Sequence, residues 1–112
     1  MKNKIVALLC LISMAFTANA QGGKLKALLF TKTAGFHHES IHEGVAGVRG
    51  LGQRHSFQVD WQENSSVFTE DGLKKYDVVI FLNTTGDVLN DKEQAAFEKY
   101  IQNGGGYVGV HA

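Results

Sequence analysis

The sequence predicts an α/β protein in which a parallel sheet lies between two layers of helices. Three observations point there. Asp77 to Leu82 (Asp77-Val78-Val79-Ile80-Phe81-Leu82) is apolar on both faces after its first position, as a strand covered on each side must be. The run from Leu25 to Phe30, past Lys26, and the run from Tyr107 to His111 read the same way. Amphipathic stretches of helical period separate these strands, in the order β-α-β-(turn)-β-α-β.

Lys2 and Lys4 precede an apolar run from Ile5 to Phe16, and Ala18-Asn19-Ala20 supplies small residues at cleavage positions. This pattern reads as a secretory signal peptide over residues 1–20, cleaved after Ala20, and is too short for a membrane span. Cys10 follows Leu8-Leu9 and lacks the small residue that precedes a lipid-modified cysteine. The expected location is secreted or periplasmic. Residues 21–112 then hold no cysteine, which excludes a disulfide framework, a thiolate metal site and a cysteine nucleophile. Losing Lys2 and Lys4 from 11 basic residues, against 11 acidic, moves the net charge from zero to −2. That balance argues against nucleic acid or an anionic membrane surface as partner.

Taken in order, Leu25–Phe30 is the first strand, and Thr31 to Glu39 is a loop. Ser40 stands three residues before Glu43, the spacing of a capping box at a helix start. Ile41, Val45, Val48 and Leu51 follow as one apolar stripe, with Gly44, Gly47 and Gly50 beside it. These glycines mean either close packing of helix on sheet or a weak helix. Phe57, Val59 and Trp61 alternate with Gln58 and Asp60, the pattern of an edge strand with one wet face. Asn64-Ser65-Ser66 begins a loop, and Thr69 caps a single turn from Glu70 to Lys75. The central strand follows. Asn90, with Glu93 three residues on, starts a second amphipathic helix carrying Ala96, Phe97, Tyr100 and Ile101, and Asn103-Gly104 stops it. Tyr107 to His111 is expected to be a buried strand. Right-handed crossovers between parallel strands give the order 2-1-3-4, the flavodoxin-like winding.

That winding sends Thr31–Glu39, Asn83–Asp87 and His111 to one edge of the sheet. His38, Asp87 and His111 are therefore candidate acid–base groups, or ligands of a divalent metal. Thr31, Asn83, Thr84 and Thr85 are candidates for hydrogen-bonding a ligand. Thr31-Lys32-Thr33-Ala34-Gly35 follows a first strand, as phosphate- or FMN-cradling loops do, but ends in Phe36-His37-His38-Glu39, which is not a phosphate pattern. His38-Glu39-Ser40-Ile41-His42 spells the zinc-protease string H-E-x-x-H. A cap at Ser40 leaves His38 outside the helix and breaks the spacing that zinc requires, and no third ligand is evident on that helix. His37 and His42 read as surface residues, and His55 lies at the far end of its helix.

Three stretches carry a family resemblance. Lys26 to Phe36 with His38, Ser40 and Ile41 resembles the opening of the ThuA-like (trehalose utilisation) domain. Phe81 to Leu89 and Gly104 to Ala112 are similar to its next two signatures. The resemblance implies the class I glutamine amidotransferase-like fold and a role in using trehalose or a related sugar. Gly109-Val110-His111 falls where amidotransferases carry Gly-x-Cys, so the resemblance does not extend to glutaminase chemistry. His37 stands where an arginine is common and Glu39 where an aspartate is. Family domains continue past this point, so residues 21–112 are expected to be the amino-terminal portion of an incomplete domain. The last strand would then have an uncovered edge prone to self-association, as a homo-oligomer or aggregate. The expected ligand is a small sugar or sugar derivative, and the competing reading is a non-catalytic binding module on a degenerate enzyme fold.

Overall fold

The computed structural model describes residues 23–112, so the signal-peptide reading lies outside the described residues. Its elements are β1 (Lys26–Phe30), α1 (Ile41–His55), β2 (Gln58–Gln62), a 3-10 turn (Ser65–Val67), α2 (Glu70–Leu73), β3 (Val78–Leu82), α3 (Asp91–Gln102) and β4 (Gly106–Val110). All strand pairs are parallel and the order is β2-β1-β3-β4, as the sequence predicts. The flavodoxin-like α/β fold follows from that winding. The chain leaves β1 in one direction to β2 and in the other to β3 and β4, so right-handed crossovers place α1 and α3 on opposite faces.

Alternation along β1 divides its side chains between two cores. Leu28 and Phe30 join Phe68, Leu73, Tyr76, Val79 and Val88 on the face covered by α2 and α3. Leu29 joins Ile41, Val45 and Leu82 on the face covered by α1. Helix α3 docks through Phe97, which stacks on Phe81 with ring centres 5.4 Å apart. Its start follows the sequence reading: Asn90 Oδ1 accepts from the Glu93 N–H, and Glu93 Oε2 accepts from the Asn90 N–H, each at 2.9 Å. Thr69 likewise caps α2, which is shorter than expected.

Four local expectations are corrected. Ser40 closes no capping box: its backbone is already helical (φ −70°, ψ −3°), whereas a side-chain cap needs extended geometry. Its hydroxyl instead donates to Asn83 Oδ1, at 3.5 Å. Leu51 is exposed, and Gly52 is the buried residue of that last turn. The chain reverses at Ser56 (φ 59°) so tightly that a Cβ at Gly52 would stand 2.8 Å from the Phe57 carbonyl oxygen. The polar face of β2 is wet only in part: Gln58 is exposed, but Asp60 is half-buried and accepts a hydrogen bond from the Tyr76 hydroxyl. Burial, then that bond and the carboxylate's charge, push the Tyr76 phenol up to about 12, so it remains a neutral donor at ordinary pH. Finally, β4 forms but is not buried. Tyr107, Val108 and Val110 are 52%, 46% and 43% exposed. Among the described residues β4 pairs only with β3, and α3 reaches it through the contact of Phe97 with Tyr107 and through Tyr100 at Gly106, the first residue of the strand.

The glycines of α1 divide by what faces them. A Cβ at Gly44 would stand 2.8 Å from the end of the Leu82 side chain, and one at Gly47 would meet nothing. Close packing therefore explains Gly44 and Gly52, and Gly47 is a weak point of the helix. Replacing Gly47 with Ala is expected to raise stability by about 0.5–1 kcal/mol. Gly52→Ala is expected to lower it by about 1–3 kcal/mol, because the obstacle is backbone. Urea midpoints of the two variants check this, and shifts in the same direction would contradict it.

Candidate functional site

The carboxyl ends of β1, β3 and β4 open onto residues 31–40, residues 83–90 and His111. The switch point lies between β1 and β3, where open α/β sheets hold ligands. At this point the two loops are fastened together. Thr33 and Thr85 form a parallel bridge beyond the strand ends. The Thr85 carbonyl accepts from the Ala34 N–H at 2.7 Å and the Gly35 N–H at 3.2 Å, and its hydroxyl donates to the Phe36 carbonyl. Gly86 (φ 75°) lets the chain turn against this clamp: a Cβ there would stand 3.1 Å from the Gly35 nitrogen.

Beside the clamp, His38 and His111 meet with ring centres 4.7 Å apart at 63°. Phe36 adds its ring at 5.0 Å from His38, edge to face. Asn83 ties the surroundings together. Its N–H donates to the Val110 carbonyl at 2.9 Å, and its side-chain oxygen accepts from Ser40. It is buried and sits in the left-handed region at φ 51°, and His111, at the end of the adjacent strand, has φ 34°. Two such backbones side by side are a strained pair held by their surroundings, the kind of feature that marks functional edges.

The other candidates are placed as follows. Thr31 is buried, and its hydroxyl accepts from Trp61 Nε1 at 2.8 Å, a tie between β1 and β2. Thr85 spends its polar groups on the clamp. Thr84 is half-buried between Asn83 and Thr85. Asp87 is exposed, and neither a hydrogen bond nor an ion pair joins it to either imidazole among the described residues. His37 is exposed with its Nδ1 3.4 Å from Thr33 Oγ1. The two histidines of the H-E-x-x-H string face different neighbours, His38 against His111 and His42 against Trp61 at 6.0 Å. Among the described residues no three His, Cys, Asp or Glu side chains group as a metal site. A cavity of about 330 Å³ lies at the opposite edge of the sheet, bounded by Leu73, Tyr76, Asp77, Lys99, Tyr100 and Gly105. It does not touch the imidazole pair.

With this geometry in view, residues 26–112 match the ThuA family, described as trehalose utilisation. The chain belongs to the ThuA family. A crystal structure of a ThuA-like protein from Bacteroides uniformis ATCC 8492 superposes with a TM-score of 0.63 at 32% identity. That match takes in 80% of this chain and 37% of the other, so the chain spans well under half of that relative's length. The comparison with curated proteins gave no match.

In this ThuA-family chain, sequence reasoning brought His38, Asn83 and His111 to one place and missed Phe36 and Ser40. An aromatic residue standing alone in a polar loop was the available signal for Phe36; nothing in local spacing signals that Ser40 would turn to Asn83. The left-handed backbone at Asn83 can be tested directly. Asn83→Val is expected to cost about 1–2 kcal/mol more than Asn83→Gly, since a β-branched residue resists that φ and glycine does not. Urea denaturation of both variants reads the difference, and equal losses would show that no left-handed residue is needed there.

Proposed function

We propose that this chain is the amino-terminal portion of an exported ThuA-family domain that binds trehalose or a related sugar at the carboxyl edge of its sheet. The His38–His111 contact beside the switch point is the observation that carries the reading. Two imidazoles offer ring nitrogens that donate to and accept from sugar hydroxyls, which suits hydrogen bonding to a sugar. Asn83, Thr84 and Asp87 are the further candidate partners for hydroxyls. The family's description as trehalose utilisation supplies the ligand class.

A second reading, binding without turnover, is favoured by one observation. Neither a hydrogen bond nor an ion pair joins a carboxylate to either imidazole among the described residues, and an acid–base histidine normally has an orienting partner. Saturation-transfer NMR with trehalose tests binding, and product analysis of the same sample tests turnover. Transfer to trehalose is expected, and His38→Ala and His111→Ala are each expected to weaken it about tenfold, or about 1.4 kcal/mol. Wild-type protein that gives no transfer to trehalose, maltose or glucose would overturn the reading.

A further inference from the structure

We infer that Phe36 is a stacking platform for the apolar C–H face of a sugar ring at this edge, an inference that rests on the sugar-binding reading above. Single exposed apolar residues are ordinary, so exposure alone would carry nothing. Three features distinguish this one. Phe36 is 70% exposed, the most exposed large apolar side chain among the described residues. Its ring extends the aromatic row of His38 and His111, with successive centres 5.0 and 4.7 Å apart. Its backbone is fixed: Thr33 is bridged to Thr85, Ala34 and Gly35 donate to the Thr85 carbonyl, and the Phe36 carbonyl accepts from the Thr85 hydroxyl.

These features fit together chemically. A ring on a clamped loop loses little further freedom on binding, which favours affinity. Pyranoses present one face of C–H bonds to an aromatic surface and a rim of hydroxyls to polar groups. Phe36 supplies the first kind of surface and the imidazoles the second. Binding sites commonly pair aromatic walls with a few polar groups in this way. The chemistry selects sugars with an uninterrupted C–H face, such as glucose units, over sugars whose axial hydroxyls break that face.

The test uses the 112-residue chain and trehalose as probe, with saturation-transfer NMR and titration on five proteins, the wild type, three Phe36 variants and His111→Ala. Phe36→Ala and Phe36→Leu are each expected to weaken binding about threefold to tenfold, and Phe36→Trp to hold or tighten it. Saturation should be greatest at the ring C–H protons and fall selectively in Phe36→Ala. Leucine keeps apolar bulk without a π face, so a merely structural contact would be rescued by it. Unchanged affinity in Phe36→Ala, with binding lost in His111→Ala, would overturn the platform and leave the sugar-binding reading standing. No transfer in the wild-type chain would overturn both.

Discussion

The site depends on one constraint, the fastening of the loop after β1 to the loop after β3 through Thr85. The residue acts three times, as a bridge partner to Thr33, as a carbonyl acceptor for two successive N–H groups, and as a hydroxyl donor to Phe36. Ordering a backbone residue costs roughly 1–2 kcal/mol, so a free ten-residue loop between β1 and α1 would scatter Phe36 and His38 over many positions. The clamp removes that freedom where the ring-bearing residues begin. It requires glycine at 86, because any side chain there would meet the backbone of Ala34 and Gly35.

The far end of the same loop is set by how closely α1 lies on the sheet. Gly44 lets the helix approach Leu82, and Ile41 and Val45 fill the core on either side of that contact. The first turn therefore rests low enough for the Ser40 hydroxyl to reach Asn83 across the end of β3. Asn83 in turn holds the end of β4 through the Val110 carbonyl. Packing on one face of the sheet thus fixes where His38 stands, and pairing within the sheet fixes where His111 stands. The opposite face is arranged around Phe30, Phe68, Phe81 and Phe97, and it anchors α3 without entering the site.

Much of this was legible in the residues themselves. Three runs apolar on both faces predict a covered sheet, which holds for β1 and β3, one alternating run predicts an edge, and handedness then leaves the order β2-β1-β3-β4. The Asn90–Glu93 box was readable because both partners are local. Ser40 has the same spacing without forming a box, because its hydroxyl has a distant alternative in Asn83 that spacing does not reveal. Asp60 has the alternation of a wet residue, and its partner Tyr76, 16 positions away, is hidden from the pattern for the same reason. The threonines after β3 were legible as polar loop residues. That Thr85 would bind its own protein depends on the register of two loops, which no local pattern encodes. Val108 and Val110 have the composition of buried residues, and burial is a property of what lies beside them.

The central claim is that these loops deliver His38 and His111 to one point at the carboxyl edge. Nuclear Overhauser spectroscopy on the folded protein, with the five histidines assigned, tests it most directly. Ring centres 4.7 Å apart predict a cross-peak between the imidazole protons of His38 and His111, with a second between His38 and the Phe36 ring. Resolved imidazole signals with no cross-peak between His38 and His111 would contradict the account.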